Sequence, residues 1–107
     1  MIFHLAVRSE WRRDGTYRPP SLTDDGFIHC STTSQLIDVA NALYAGRTDL
    51  IVLTIDPDLL DAPVVHEDCY ETGMRYPHIY GTIRPEAVVD EQPLQPGSDG
   101  KFAWDSL

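Results

Sequence analysis

Gly26-Phe27-Ile28-His29-Cys30-Ser31-Thr32-Thr33-Ser34-Gln35, running on into Leu36-Ile37-Asp38-Val39-Ala40-Asn41-Ala42-Leu43-Tyr44, is the stretch that decides the fold. It reads as a short strand feeding directly into an amphipathic helix. Side chains alternate across a strand, so Ile28 and Cys30 share an apolar face and Phe27, His29 and Ser31 share the other. Thr32 and Gln35 stand in the T-x-x-Q spacing of a capping box, which starts the helix within a few residues of His29. Leu36, Val39, Ala40 and Leu43 follow at i, i+3, i+4 and i+7, a stripe expected to face the core, and Gly46 ends the helix. A helix start carries unpaired N–H groups and partial positive charge, so an anion is favoured beside this strand's polar face.

Upstream, Ile2 to Val7 reads as a strand with Phe3, Leu5 and Val7 on one face and Ile2, His4 and Ala6 on the other. Ser9 is placed to cap a short helix, Glu10 to Asp14, that Gly15 stops. Thr16-Tyr17-Arg18 is extended, Pro19-Pro20 opposes helix, and Ser21 to Gly26 reads as a turn. Downstream, Leu50 to Ile55 is apolar on both faces apart from Thr54, the signature of a strand covered on each side. Leu59-Leu60 suits a single helical turn. Val64 to Glu67, Tyr76 to Gly81 and Ala87 to Leu94 read as strands, and Asp68 to Tyr76 as an exposed loop. Phe102 and Trp104 suggest a tail, 95–107, that packs back. The expectation is α+β: a single small domain of about six short, mostly antiparallel strands in two small sheets around one main helix.

The 107 residues suffice for one core, and a hydrophobic share of 42% with 23% charged residues suits a globular protein. No apolar run approaches membrane-spanning length, and the opening seven residues are too short for a signal h-region. Two cysteines, Cys30 and Cys69, make no disulfide framework, so reduced cytoplasm is the expected compartment. The net charge of −9 opposes a long nucleic acid. Residues 1–18, however, carry Arg8, Arg12, Arg13 and Arg18 against Glu10 and Asp14, a net +2. A small anionic, nucleotide-like ligand near that end is the partner this asymmetry admits; no membrane and no identified protein partner are expected.

Three short strands each carry a histidine: His4, His29 and His78. Were those strands neighbours, their imidazoles would meet over one cleft with Ser31 and Tyr80 close by, able to stack, hydrogen-bond or move a proton near neutral pH. The plainer alternative is that each bonds something local. A zinc site from His66, Glu67, Cys69 and another histidine competes for the same residues. With no C-x-x-C and no H-E-x-x-H, no metal is expected. Glu67 is a weaker mark, a carboxylate open to catalysis or to solvent. Cys30 points away from His29 and reads as a buried small hydrophobe, not a nucleophile.

The segments Phe3-His4-Leu5-Ala6, Tyr17…Pro20-Ser21-Leu22, Gly26-Phe27-Ile28-His29-Cys30-Ser31, Val39-Ala40-Asn41…Tyr44 and Pro77-His78-Ile79-Tyr80-Gly81 resemble an uncharacterised bacterial family, domain of unknown function 952, over roughly residues 2–94. That family in turn looks like a small relative of the ADP-ribosyltransferase fold, whose members bind NAD in a cleft between two small sheets. His4-Leu5-Ala6 is similar to the first-strand histidine and small residue of poly-ADP-ribose polymerases. His29 stands where their stacking tyrosine would be. Pro77-His78-Ile79-Tyr80 is the counterpart of an element that there supplies a glutamate, and no acid stands in it here. A second-strand histidine is also similar to the RNA 2′-phosphotransferases, which add arginines for which Arg8, Arg12 and Arg18 are in range. The resemblance implies NAD as ligand, with His4, Ala6, His29, Ser31 and Arg18 binding it. It implies His29, His78 and Tyr80 acting in cleavage of the nicotinamide–ribose bond, with ADP-ribose passed to an acceptor. A catalytically silent nucleotide-binding or protein-interaction module is the alternative, which the missing acid favours.

Overall fold

The apolar run Leu50–Ile55 becomes the middle strand of a three-stranded sheet in the computed structural model, which describes residues 1–69 and 71–104. Strand β1 (Ile2–Val7) pairs with β3 (Leu50–Ile55), and β3 pairs on its other side with β6 (Val88–Leu94). A second sheet has β5 (Tyr76–Ile79) between β2 (Ile28–His29) and β4 (Val64–Glu67). Every pairing is antiparallel. Alternation along β1 and β3 gives the first sheet two apolar faces. Ile2, Ala6, Leu53 and Ile55 pack against Ile28, Cys30 and Ile79 of the second sheet. Leu50 and Val52, with Phe3 and Leu5 beside them, pack against helix α2 (Leu36–Tyr44) and the C-terminal tail. The expected α+β architecture is the one observed.

The tail does pack back as far as Trp104; its last three residues, 105–107, lie outside the described residues. Phe102 is buried under α2, and its backbone exchanges two hydrogen bonds with the Asn41 side chain, at 2.7 and 3.0 Å. Trp104 meets Phe3 edge-on at 6.1 Å.

Three expectations need correction. No helix runs from Glu10 to Asp14: Arg8–Glu10 forms one 3-10 turn, without a side-chain cap from Ser9. The backbone at Trp11 is extended because the indole is drawn into the core, where its N–H donates to Glu91 Oε1 at 2.6 Å. Ser21 to Gly26 is not a bare turn either, since Pro20–Asp24 forms helix α1. Pro20 occupies its first turn, the position where a missing N–H costs nothing. Finally, the apolar stripe of α2 divides. Leu36 and Ala40 are buried with Ile37 and Tyr44 beside them, but Leu43 is 69% exposed and Val39 only partly covered.

Candidate functional site

The two sheets diverge at the strand quoted first. Gly26, with φ of 84°, takes the left-handed conformation that brings the chain from α1 into β2. Ile28 then stands opposite Ile79 and His29 opposite His78. Cys30 N–H still donates to Pro77 O at 3.0 Å, but Ser31 has already crossed to the first sheet, exchanging hydrogen bonds of 2.8 and 2.9 Å with Phe3. One residue later the helix is prepared: Gln35 Oε1 accepts from Thr32 N–H at 3.0 Å, and Thr32 O accepts from Gln35 N–H at 3.1 Å. That is the glutamine half of a capping box; the Thr32 hydroxyl pairs with Ser34.

This fork, α2 and the segment around Thr72, Met74 and Tyr76 enclose a cleft of about 800 Å³. His4, His29, Ser31 and His78 all line it, with Ser34 and Gln35 from the start of α2. The His29 and His78 rings meet there, as expected of their strands, whereas His4 contributes to the lining only from a ring that is 6% exposed with both nitrogens engaged. Ala6, Arg18 and Tyr80 do not line it: Ala6 is sealed in the core, Arg18 is exposed elsewhere, and Tyr80 belongs to the rim described below. Nor do Arg8, Arg12 and Arg13. The arginine that does reach the cleft, Arg47, is bound by both oxygens of Asp49, at 2.6 and 2.8 Å. Val39, Ala42 and Leu43 of α2 supply an apolar wall, which the reading of the helix stripe as wholly core-facing missed.

His4 lies on the core side of β1 with Ile2 and Ala6, and is 6% exposed. Both ring nitrogens are engaged: Nδ1 with the carbonyl of His29 at 2.6 Å and Nε2 with the Tyr17 hydroxyl at 2.8 Å. Its nitrogen facing the carbonyl must carry the proton, so Nε2 accepts from Tyr17. Burial then disfavours a second proton and lowers the His4 pKa to about 4. The same burial raises the Tyr17 phenol. Here the imidazole is a neutral tie between β1, β2 and Tyr17.

His29 is different. Its side chain is 40% exposed, and Nε2 lies 2.8 Å from a carboxylate oxygen of Asp25. Asp25 was not foreseen as a partner; its signal is the four-residue spacing across Gly26, which the left-handed turn closes. Phe27 completes the group, edge-on to His29 at 4.9 Å and stacked on His78 at 4.0 Å and 17°. His29 and His78 rings meet edge-on at 5.5 Å.

On the far side of His78, Glu67 reaches across from β4. Its Oε1 lies 2.9 Å from His78 Nδ1 and accepts a short hydrogen bond from the Tyr80 hydroxyl. Donation from Tyr80 and then His78 holds the Glu67 carboxyl below the usual carboxylate range, and the same bond pushes Tyr80 up to about 12. Cys69 Sγ stands 3.7 Å from His78 Nδ1, its thiol pushed up by partial burial and by Glu67. Glu67 thus couples two of the expected site residues, His78 and Tyr80, from outside the cleft lining.

Among the described residues, no helix is long and apolar enough to cross a membrane. Among curated proteins none matches the chain significantly. The crystal structure of protein CC0527 from Caulobacter crescentus is similar to it at 26% identity, covering 97% of this chain and 94% of that one, with a TM-score of 0.84. The solution structure of CC0527 is similar at 25% identity, covering 94% and 89%, with a TM-score of 0.72. Residues 2–91, nearly the whole of the fold and all of the cleft, match one family, and the chain belongs to it: the family described as protein of unknown function (DUF952).

Proposed function

We propose that the cleft binds NAD or a related ADP-ribose compound, and that the reaction carried out there cleaves the nicotinamide–ribose bond and passes ADP-ribose to an acceptor. The observation that carries this reading is the meeting of His29, His78 and Ser31 with the start of α2 in one cleft of about 800 Å³. That volume lies within the few hundred to a thousand Å³ usual for ligand sites. The resemblance to ADP-ribosyltransferases selects this ligand class over others of similar size. In this reading, His29 stacks on or hydrogen-bonds the nicotinamide ribose, with Asp25 holding its ring in place. Ser31, Ser34 and the first turn of α2 hold polar or phosphate groups. His78 is the proton-transfer group, and Glu67, Tyr80 and Phe27 position it. His4 acts at one remove, fixing the β2 backbone beneath His29. Charge stabilisation of an oxocarbenium-like centre by fixed dipoles requires no acid on β5 itself.

A binding module without turnover is the second reading. The engagement of Glu67 by Tyr80 and His78, outside the cleft lining, favours it. One titration separates the two: millimolar NAD added while the imidazole protons are followed by NMR and nicotinamide is assayed. Shifts at His29 and His78 with nicotinamide release support the enzyme. The same shifts without release support the module. Unmoved histidines exclude both. His29→Ala is expected to weaken binding roughly tenfold, about 1.4 kcal/mol.

A further inference from the structure

A ring nitrogen, a carboxylate oxygen and a thiol sulfur converge at the rim where β4 meets β5. His78 Nδ1 lies 2.9 Å from Glu67 Oε1 and 3.7 Å from Cys69 Sγ, and the ligand atoms of these three residues lie within 4.8 Å of one another. A cysteine nucleophile activated by histidine needs the thiol on one ring nitrogen and the orienting acid on the other. Here both address the same nitrogen, which has a single site to give. The nucleophile reading therefore fails, while convergence of three donor atoms on one point is what a cation needs.

We propose that Glu67, Cys69 and His78 bind a divalent transition metal, zinc by the chemistry of the set. Nitrogen, sulfur and carboxylate oxygen together are a zinc-type set, whereas calcium and magnesium take oxygen. Tetrahedral zinc with bonds of about 2.0 Å to nitrogen and 2.3 Å to sulfur sets those two atoms roughly 3.5 Å apart. The observed 3.7 Å needs almost no adjustment. Outer partners are in place as well. Tyr80 donates to the Glu67 carboxylate, and Phe27 lies flat against the His78 ring. Asp68 accepts from Thr72 N–H at 3.0 Å and Gly73 N–H at 2.7 Å, so the turn carrying Cys69 is braced by a side chain that is not itself a ligand. Cys69 is exposed and the Glu67 side chain 28% exposed, so an ion can enter from water. Binding ionises Cys69, releasing its proton to solvent, and takes His78 as the tautomer protonated on Nε2. Two anionic ligands then balance the charge, and solvent completes four-coordination. His66 has no part: it neighbours Glu67 on β4, so its side chain leaves from the opposite face.

The test is titration of the reduced, metal-free protein with Zn²⁺, and with Co²⁺ as a coloured substitute. One ion per chain is expected, with a thiolate-to-cobalt charge-transfer band. Cys69→Ser should abolish that band and weaken zinc at least about tenfold, Glu67→Gln should also weaken it, and His66→Ala should change neither. Amide NMR spectra establish that each variant is folded. Absence of binding at micromolar zinc, a Cys69→Ser variant that binds as tightly as its parent, or loss of binding in His66→Ala would each overturn the assignment. Because His78 and Glu67 serve in both readings, NAD binding is read on the metal-free protein, so that failure of one reading is distinguishable from failure of the other.

Discussion

His4 and His78 are both buried, yet their surroundings make them opposite kinds of residue. Around His4 the partners are neutral, a phenol and a peptide carbonyl, one to each nitrogen. All hydrogen-bonding capacity is consumed, and the ring is left uncharged. Around His78 a carboxylate and a thiol crowd one nitrogen, with a second phenol behind the carboxylate. The first arrangement closes a core; the second leaves charge and donor atoms poised at a rim. Burial alone therefore says little about what an imidazole does. The partners and the nitrogens they choose decide it.

The largest expected effect breaks the His4 side. His4→Ala leaves the Tyr17 hydroxyl and the His29 carbonyl without their partner and opens a void, a loss of about 3–5 kcal/mol by urea denaturation. Glu67→Gln should cost far less in the same measurement, because Glu67 is part-exposed. A parallel loss of both would end the distinction drawn here.

Acid sharpens it next. His4 is harder to protonate folded than unfolded, so its contribution is fully present above 6.5 and is lost as pH falls from there to about 4. The loss amounts to roughly 3 kcal/mol. Glu67 is depressed in the folded state, so its contribution is present above the ordinary carboxylate value and disappears only at lower pH. A His4→Phe variant, less stable at neutrality, should show no loss between pH 6.5 and 4 beyond that of carboxylates. Persistence of the slope in that variant would place it elsewhere.

Smaller still, Glu67→Gln should bring the Tyr80 phenol down from about 12 toward its ordinary value of 10, seen as an earlier ultraviolet tyrosinate transition. Tyr17 should not move. In the absence of metal, Cys69→Ser should leave the urea midpoint essentially unchanged, since the residue is exposed.

Much of this was legible in the sequence because it depends on alternation and periodicity. Leu50 to Ile55 announced a covered strand by being apolar at nearly every position, and Phe27, His29 and Ser31 were placed on one face by a period of two. The side of β1 on which His4 falls was not legible. Both of its faces are apolar, and only the arrival of the second sheet makes one of them the sealed one. Pairings that join distant strands were equally hidden. Nothing local tells Glu67 that His78 and Tyr80 will stand beside it, as this follows from the register of β4 against β5. The Asp25–His29 contact was within reach of sequence, had Gly26 been read as the turn that folds one onto the other.

Helix α2 carries one further consequence. Leu36 and Ala40 hold it to the sheet, whereas Val39, Ala42 and Leu43 spend their side chains on the cleft. Anchoring and lining thus fall largely to different residues of the same nine-residue helix, with Tyr44 alone in both roles among those named. Substitutions at positions 39, 42 and 43 of this chain are therefore expected to reshape the hollow without loosening the framework that holds it open.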